Sequence, residues 1–177
     1  MTDDNQAHND DSDHRNDVNR RLAHVWRDSR LGPTVENLRR YILHHGETTL
    51  EVGQYRLLHA MIEHGPLPMR ALAVAVGANQ SSVSRSMQRL ENAGLAARTQ
   101  STSDLRSFTV QITDEGRRVH TFLVDRAFGL YEDIFAVFTT EERLELASLL
   151  ERLLKSAETT LADLNPRQQT ANDWHQK

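Results

Sequence analysis

Residues Gly65 to Thr113 read GPLPMRALAVAVGANQSSVSRSMQRLENAGLAARTQSTSDLRSFTVQIT, and this stretch decides the fold. Pro68 suits the first position of a helix that runs to about Val76, because a proline there leaves no N–H group without a partner. Gly77 then breaks the chain, since glycine adopts backbone conformations that end a helix. The pattern predicts one short helix, a tight turn and a second helix.

The second helix, predicted from Gln80 to Ala93, has two different faces. Asn79 can cap its start, and Gly94 can end it in the left-handed conformation. Its apolar residues recur at three- and four-residue spacing, which predicts burial: Val83, Met87 and Leu90. The opposite face is polar and cationic, without an acidic residue: Gln80, Ser81, Ser82, Ser84, Arg85, Gln88 and Arg89. Such side chains can bind base edges and phosphates in a major groove, and the plain alternative is a solvated helix face.

Two short β-prone runs follow, Leu95–Thr99 and Ser107–Ile112, with the polar turn Gln100–Arg106 between them. A helix-turn-helix followed by such a hairpin is a winged helix. The predicted fold class is therefore mainly α with a small β-hairpin wing. It consists of a winged helix-turn-helix domain plus long N- and C-terminal dimerisation helices.

At this level the sequence resembles the MarR family of bacterial transcription regulators, from roughly Val35 to Leu164. The motifs that carry the resemblance are Leu50–Gln54, Ala71–Ala73, Ser81–Arg85, Leu90–Leu95, Asp104–Arg106 and Ile112–Gly116. In that family the wing arginine enters the minor groove and the aspartate holds it, which implies these roles for Arg106 and Asp104. Arg98, at the base of the wing, is a further candidate for DNA contact. Ser84 replaces the more usual threonine, and Ser103 and Leu105 stand at commonly charged positions, which implies weaker phosphate contact at the wing.

The charge is unevenly distributed along the chain. The formal net charge is −4, but residues 1–19 carry −5, which leaves +1 for the remainder. Residues 65–113 carry +3, and DNA phosphates respond to this local charge rather than to the total. The acidic start is expected to act as a solubilising leader or to compete with DNA for the basic face.

Several functions are disfavoured by what the sequence lacks. With no cysteine, the chain has neither a thiol-based oxidant switch nor a thiolate zinc site. It has no apolar run long enough to span a bilayer and no secretory leader, which predicts a cytoplasmic protein. Nucleophile-elbow and phosphate-loop motifs are absent, so no enzyme is predicted and no cofactor is expected.

Helical periodicity and composition define five segments. These are a disordered acidic tail at 1–17, N-terminal dimerisation helices at 18–47, the winged helix-turn-helix at 48–113, C-terminal dimerisation helices at 114–164 and a flexible tail at 165–177. The break at Gly32-Pro33 separates two N-terminal helices, the second running from Thr34 to His45. Thr48–Glu51 and Thr139–Glu142 both have the form of a capping box. Thr113 can cap a helix from Asp114 to about Phe138.

The C-terminal leucine stripe is too long to be covered by the winged helix alone, which predicts a homodimer. Two recognition helices in a dimer can bind a palindromic double-stranded operator. The resemblance also implies a small aromatic effector in a crevice beside the winged helix, with repression as the usual output. Candidate lining residues are Trp26, His45, Tyr55, Arg56 and His59.

Two other interpretations stay open. A winged helix can serve only as a protein-interaction module, although the polar, basic face of the second helix favours DNA. The histidines, among them His44, His59, His64 and His120, could make a metal-responsive repressor. No His-Glu-x-x-His signature is present, and His59 and His64 are off the spacing that shares a helix face, so no metal ligands are assigned.

Overall fold

The computed structural model describes residues 3–100 and 108–173, with side chains described for residues 14–100 and 108–164. The described residues form helices and short strands in the following order. They are α1 Asp3–Leu31, α2 Pro33–Leu43, β1 His44–His45, β2 Thr48–Thr49, α3 Val52–His64, β3 Leu67–Pro68, α4 Met69–Ala75, α5 Gln80–Asn92, β4 Ala96–Gln100, β5 Phe108–Ile112, α6 Asp114–Phe135 and α7 Thr140–Asp173. The fold is mainly helical with a small antiparallel sheet, as the sequence predicts.

The N-terminal helix α1 begins at Asp3, so the structure has a helix where the sequence predicts a disordered tail at 1–17. Neither glycine nor proline interrupts residues 3–31, and acidic residues near a helix N-terminus interact favourably with the helix dipole. The predicted break at Gly32 is confirmed. A side chain at residue 32 would lie 2.5 Å from the carbonyl oxygen of Asp28, so the chain can turn there only with glycine.

Helix α2 ends at Leu43, two residues before the predicted end at His45. His44 and His45 instead pair with Thr49 and Thr48 in a small antiparallel hairpin. Gly46, with φ of 58°, makes the turn. Because Thr48 is used in this hairpin, the cap of α3 falls on Glu51 and not on Thr48 as predicted. The backbone N–H of Glu51 donates to the Gln54 side-chain oxygen at 2.8 Å.

The third strand of the wing sheet was not predicted. Leu67 and Pro68 pair with Val110 and Thr109, which gives the strand order β3-β5-β4. Pro68 is therefore a strand residue and the N-cap of α4, not the first residue of the helix. The two strands that were predicted are confirmed, with Arg98 opposite Val110 in their register.

The chain divides into two compact units, residues 1–127 and 128–177. The first unit has one apolar core, built from α3, α4, α5, the wing strands and the start of α6. Its most completely buried large side chains are Leu57, Leu58, Met61, Leu72, Met87, Leu90, Val110, Val119 and Leu123. The predicted inward face of α5 therefore lies in the core of the winged helix.

Thr113 joins the exit of α5 to the start of α6. Its hydroxyl donates to the carbonyl of Gly94 at 2.7 Å and accepts from the N–H of Gly116 at 3.0 Å, so the predicted cap is confirmed. Its own N–H donates to the Leu95 carbonyl at 3.1 Å. A side chain at residue 116 would lie 2.0 Å from that same Leu95 oxygen, so only glycine allows this approach.

The second unit contains the end of α6 and the whole of α7. The predicted capping box of α7 is confirmed: Thr139 N–H donates to Glu142 Oε2 at 2.8 Å, and Glu142 N–H donates to Thr139 Oγ1 at 3.2 Å. Helix α6 ends at Phe135 rather than Phe138. Helix α7 continues to Asp173, whereas a tail was predicted from residue 165.

Among the described residues, no helix combines the length and the apolar character that crossing a lipid bilayer requires.

Candidate nucleic-acid interface

Helix α5 is held at both ends and along one face. Asn79 Oδ1 accepts the N–H of Ser82 at 2.8 Å, which confirms the predicted N-cap. Gly94 has a φ of 70°, which confirms the left-handed end. Val83 and Met87 are 2% and 0% exposed. Because both ends and one face of α5 are fixed, its opposite, outer face is held in one orientation relative to the core.

The opposite face of α5 carries the residues predicted to contact DNA. Gln80, Ser81, Arg85, Gln88 and Arg89 are exposed, whereas Ser82 and Ser84 are half-buried. Two of the polar groups are already engaged within the helix. Ser81 Oγ donates to Asn79 Oδ1 at 2.9 Å, and the Gln88 amide donates to Asn92 Oδ1 at 3.1 Å. The serines leave room close to the helix axis, and the longer side chains lie farther out.

The arginines of this face differ in what they contact. Arg85 makes no ion pair within the part of the chain that the structure describes. Arg89 forms an ion pair with Glu51, the N-cap of α3. Arg98, on β4, donates through Nε to Glu91 at 2.9 Å, and the Glu91 side chain is only 18% exposed. Two of the four predicted DNA-contacting arginines, Arg89 and Arg98, are therefore paired with carboxylates of this chain, and sequence reasoning missed both carboxylates.

The hairpin that follows α5 forms as predicted up to residue 100. Thr99 and Thr109 face each other across the strands, with their hydroxyl oxygens 3.1 Å apart. The tip of the wing lies outside the described residues, and with it the two predicted contact residues Asp104 and Arg106. Their roles stay predictions.

A sequence model described as MarR family matches residues 48–107, from the strand before α3 to the wing. The transcriptional repressor MdtR of Bacillus subtilis (strain 168) is 29% identical over 106 residues, which cover 60% of this chain and 68% of MdtR. The transcriptional regulator FarR of Neisseria gonorrhoeae is 29% identical over 102 residues, covering 58% and 70% of the two chains. The crystal structure of the PcaV transcriptional regulator from Streptomyces coelicolor aligns with a TM-score of 0.55 and 26% identity, covering 72% of this chain and 96% of PcaV.

Residues 48–107 of this chain are therefore similar to the winged helix of MarR-family transcriptional regulators. The family and these relatives are DNA-binding regulators and not enzymes. This confirms two predictions made from the sequence, that the chain regulates transcription by binding DNA and that it is not an enzyme. Helix α5 is the second helix of the helix-turn-helix in this MarR-family fold, and β4 and β5 are the strands of its wing.

The candidate effector residues of this chain do not all come together. Tyr55 and His59, on α3, stack against His120 on α6 with ring centroids 5.4 Å from the His120 centroid. His45 meets Phe122 of α6 edge-on at 5.1 Å. Trp26 instead contacts Arg30 within α1. Arg56 donates to the carbonyl of Val76, at the end of α4.

Arg126 of α6 is another residue that sequence reasoning missed. Its Nη1 donates to the carbonyl oxygens of Tyr41 at 3.0 Å and His44 at 2.6 Å, where the last carbonyls of α2 lack helical partners. The guanidinium also lies 4.5 Å from the centre of the Phe122 ring. A cation at this position stabilises the C-terminal end of α2 and attaches it to α6.

His59 and His120 lie side by side, with Nδ1 of the first 3.2 Å from Nε2 of the second. Burial and the neighbouring charge of His59 both lower the pKa of His120 below its usual 6.5. His59 Nε2 also lies 3.5 Å from Glu63 Oε1. Among the side chains described, those of residues 14–100 and 108–164, no three of the metal-ligating types come together as a metal site.

Folding stability is expected to fall as pH drops below about 6.5, in part because of His120. The lowered pKa means that the unfolded chain binds a proton that the folded chain rejects, so stability rises with pH in the window just below 6.5. Thermal melts between about pH 7.5 and pH 5.5 should therefore show a smaller acid-induced loss of Tm in His120→Gln than in the wild type.

The matched control is His24→Gln, which removes an exposed histidine of α1. It should keep the pH dependence of the wild type. If Tm changes equally with pH in His120→Gln and in the wild type, the assignment to His120 is refuted.

Proposed function

We propose that this chain binds a palindromic operator as a homodimer and represses transcription until a small-molecule effector releases the DNA. The observation that carries the proposal is the outer face of α5. Its side chains are those that major-groove readout uses, and its opposite face is anchored in the core. The proposed DNA contacts are Gln80, Ser81, Ser82, Ser84, Arg85, Gln88, Arg89 and Arg98, with Asp104 and Arg106 at the wing.

Arg85 is the strongest candidate for base readout. Its exposed guanidinium makes no ion pair among the described residues, so it can form a bidentate contact with guanine O6 and N7 without breaking an existing bond. Arg89 lies one turn further along the same face and suits a phosphate. Repression is proposed because MdtR is named a repressor, and because a dimer seated on an operator excludes other proteins.

Loss of Arg85 should weaken sequence-specific binding. Duplexes that bind the wild type are selected from a random-sequence pool, and binding to the selected duplex is compared in mobility shifts. Arg85→Ala should cost about 1–3 kcal/mol and relax the preference at one base pair per half-site. Arg106→Ala should weaken binding to all sequences and lower the salt slope by about 1 per subunit. A wild-type protein that forms no salt-sensitive complex would refute DNA binding, and an unaffected Arg85→Ala would refute its role.

A homodimer is supported by apolar surface that this chain leaves exposed. In the second unit, Leu149, Leu150, Leu153 and Leu154 of α7 are each at least 43% exposed. Between α6 and α7 an apolar cavity of about 340 Å³ is lined by Phe128, Tyr131, Phe135, Leu146 and Leu150, among others. In the first unit, α1 exposes Leu22 and Val25 at 61% each. Burying such surface against a second copy is the symmetric solution, and it would place two α5 helices about 34 Å apart for successive major grooves.

Leu153→Glu should shift the protein from dimer to monomer in analytical ultracentrifugation, because it would bury a charge in the proposed interface. The same variant should lose tight binding to the selected palindrome, since each half-site is then bound alone. Glu151→Gln, on the same helix, should remain a dimer. A wild type that sediments as a monomer would refute the dimer.

An effector is supported by PcaV, whose structure has been solved in complex with its natural ligand. That structure aligns with this chain at 25% identity and a TM-score of 0.53. In this chain, His45 Nδ1 is buried without a hydrogen-bond partner among the described residues, beside the Phe122 ring. A ligand polar group there would satisfy it. Of the five proposed lining residues, His45, Tyr55 and His59 lie at the contact of α6 with its neighbours. Trp26 and Arg56 lie elsewhere, against Arg30 within α1 and at the Val76 carbonyl respectively.

Small aromatic acids are therefore expected to raise the Tm of the wild type in a thermal-shift screen, because a ligand of the folded state stabilises it. His45→Phe should abolish that shift, whereas Trp26→Phe should reduce it less. Divalent cations serve as the comparison for a metal-responsive repressor. A screen in which no acid both raises Tm and releases the selected duplex would refute the effector.

A further inference from the structure

Glu51 has a fixed place beside the DNA-reading face. It is the N-cap of α3, and its backbone N–H and carbonyl bond to Gln54 Oε1 at 2.8 Å and to the Tyr55 N–H at 3.1 Å. Two residues later, Gly53 brings α3 against α5: a side chain there would lie 3.4 Å from Ser86 Oγ. Because Ser86 and Arg89 are three residues apart, they share a face of α5. Close packing at Gly53 thereby brings the Glu51 carboxylate to the Arg89 guanidinium.

The Glu51–Arg89 pair is exposed to solvent. The two side chains keep 60% and 56% of their surface exposed, so their attraction is screened by water and is easily broken. The Arg98–Glu91 pair differs, because Glu91 is mostly buried and holds Arg98 firmly on the wing. Arg89 can therefore exchange partners on the surface, whereas Arg98 is fixed.

A carboxylate and a phosphate compete for the same guanidinium. Both use their oxygens to accept the parallel N–H groups of arginine, so full engagement of one displaces the other. When DNA approaches α5, Arg89 must leave Glu51 to bind a phosphate. The free energy needed to break the Glu51–Arg89 pair is then subtracted from the free energy of DNA binding.

We propose that Glu51 is a positioning residue that sets the DNA affinity of this regulator by competing with phosphate for Arg89. The inference rests on the proposed DNA-binding function of α5 and adds its regulation. Glu51 keeps Arg89 extended along the α3 side of the recognition helix in the DNA-free protein. It also lowers affinity for every duplex, so that the complex remains weak enough for an effector to dissociate.

The test measures Kd for two duplexes, the one selected with the wild type and a shuffled duplex of the same composition, over a range of salt concentrations. Glu51→Gln should tighten binding to both by roughly two- to fivefold per bound chain, the range expected for an exposed ion pair. The dependence of log Kd on log salt should steepen by up to about 0.9 per chain, because one more cation becomes available to displace counterions.

Two controls isolate the contact. Glu47→Gln makes the same charge change in the turn of the β1–β2 hairpin, on an exposed residue that forms no ion pair among the described residues. It should affect binding less than Glu51→Gln. In an Arg89→Gln background, Glu51→Gln should have no further effect, since its partner is gone.

Glu51→Gln could also destabilise α3, because Glu51 is its N-cap. Glu51→Asn tests this, since asparagine is neutral and is a preferred N-cap. It should tighten DNA binding as Glu51→Gln does, with an unchanged Tm. The proposal is overturned if Glu51→Gln matches Glu47→Gln, or if its effect persists without Arg89. Those outcomes leave DNA binding itself intact. A wild type that binds neither duplex would overturn the proposed function and this inference together.

Discussion

The carbonyl oxygen of Leu95 approaches the first turn of α6 so closely that residue 116 has no room for a side chain. Thr113 completes this junction, with hydrogen bonds to Gly94 and Gly116 through a single hydroxyl. The exit of the recognition helix, the base of both wing strands and the start of α6 therefore meet within a few residues. Because the junction is closed by hydrogen bonds and close packing, it leaves little room for a displacement. The outer face of α5, the wing strands and the first turn of α6 are therefore held together, and the rest of the winged helix is arranged around them.

Interactions between residues close in sequence made the two ends of α5 and the start of α6 predictable. Asn79 and Gly94 act within a few residues of their own positions, and Thr113 caps α6 through Gly116, so these roles follow from the sequence. The second bond of the Thr113 hydroxyl, to Gly94, spans 19 residues and was not predictable from local sequence. The strand at Leu67–Pro68 could not be predicted in this way, because two residues with one proline carry no strand signal and pair with distant Val110 and Thr109. The cap of α3 was misplaced because Thr48–Glu51 has the form of a capping box, whereas Glu51 is not among the preferred N-cap residues. The hairpin formed by His44, His45 and Thr48 decides between them.

Contacts between residues far apart in sequence also determine the electrostatics of the outer face of α5. The absence of acidic residues among its members was visible in the sequence, yet Glu51 reaches Arg89 across 38 residues of chain. Glu91 and Arg98 are likewise joined through the turn from α5 into β4. The face is consequently less cationic in the folded chain than its sequence indicates. Of the two arginines on this face, Arg85 makes no ion pair among the described residues, whereas Arg89 is paired with Glu51. This arrangement favours selective over indiscriminate attraction to phosphates, because non-specific binding depends on the number of free cations.

Beyond its junction at Thr113 and Gly116, helix α6 meets its neighbours in the first unit at two further places of different chemistry. At His120 it meets α3 through stacked rings, and burial lowers the pKa of this imidazole. At Arg126 a guanidinium donates to the backbone carbonyls of Tyr41 and His44, at the end of α2. Because protonation would place a charge on the partly buried His120 ring, mild acid opposes the first contact. The acceptors at the second contact are backbone carbonyls, which do not titrate, so acid is expected to loosen α6 from α3 while Arg126 still joins it to the end of α2.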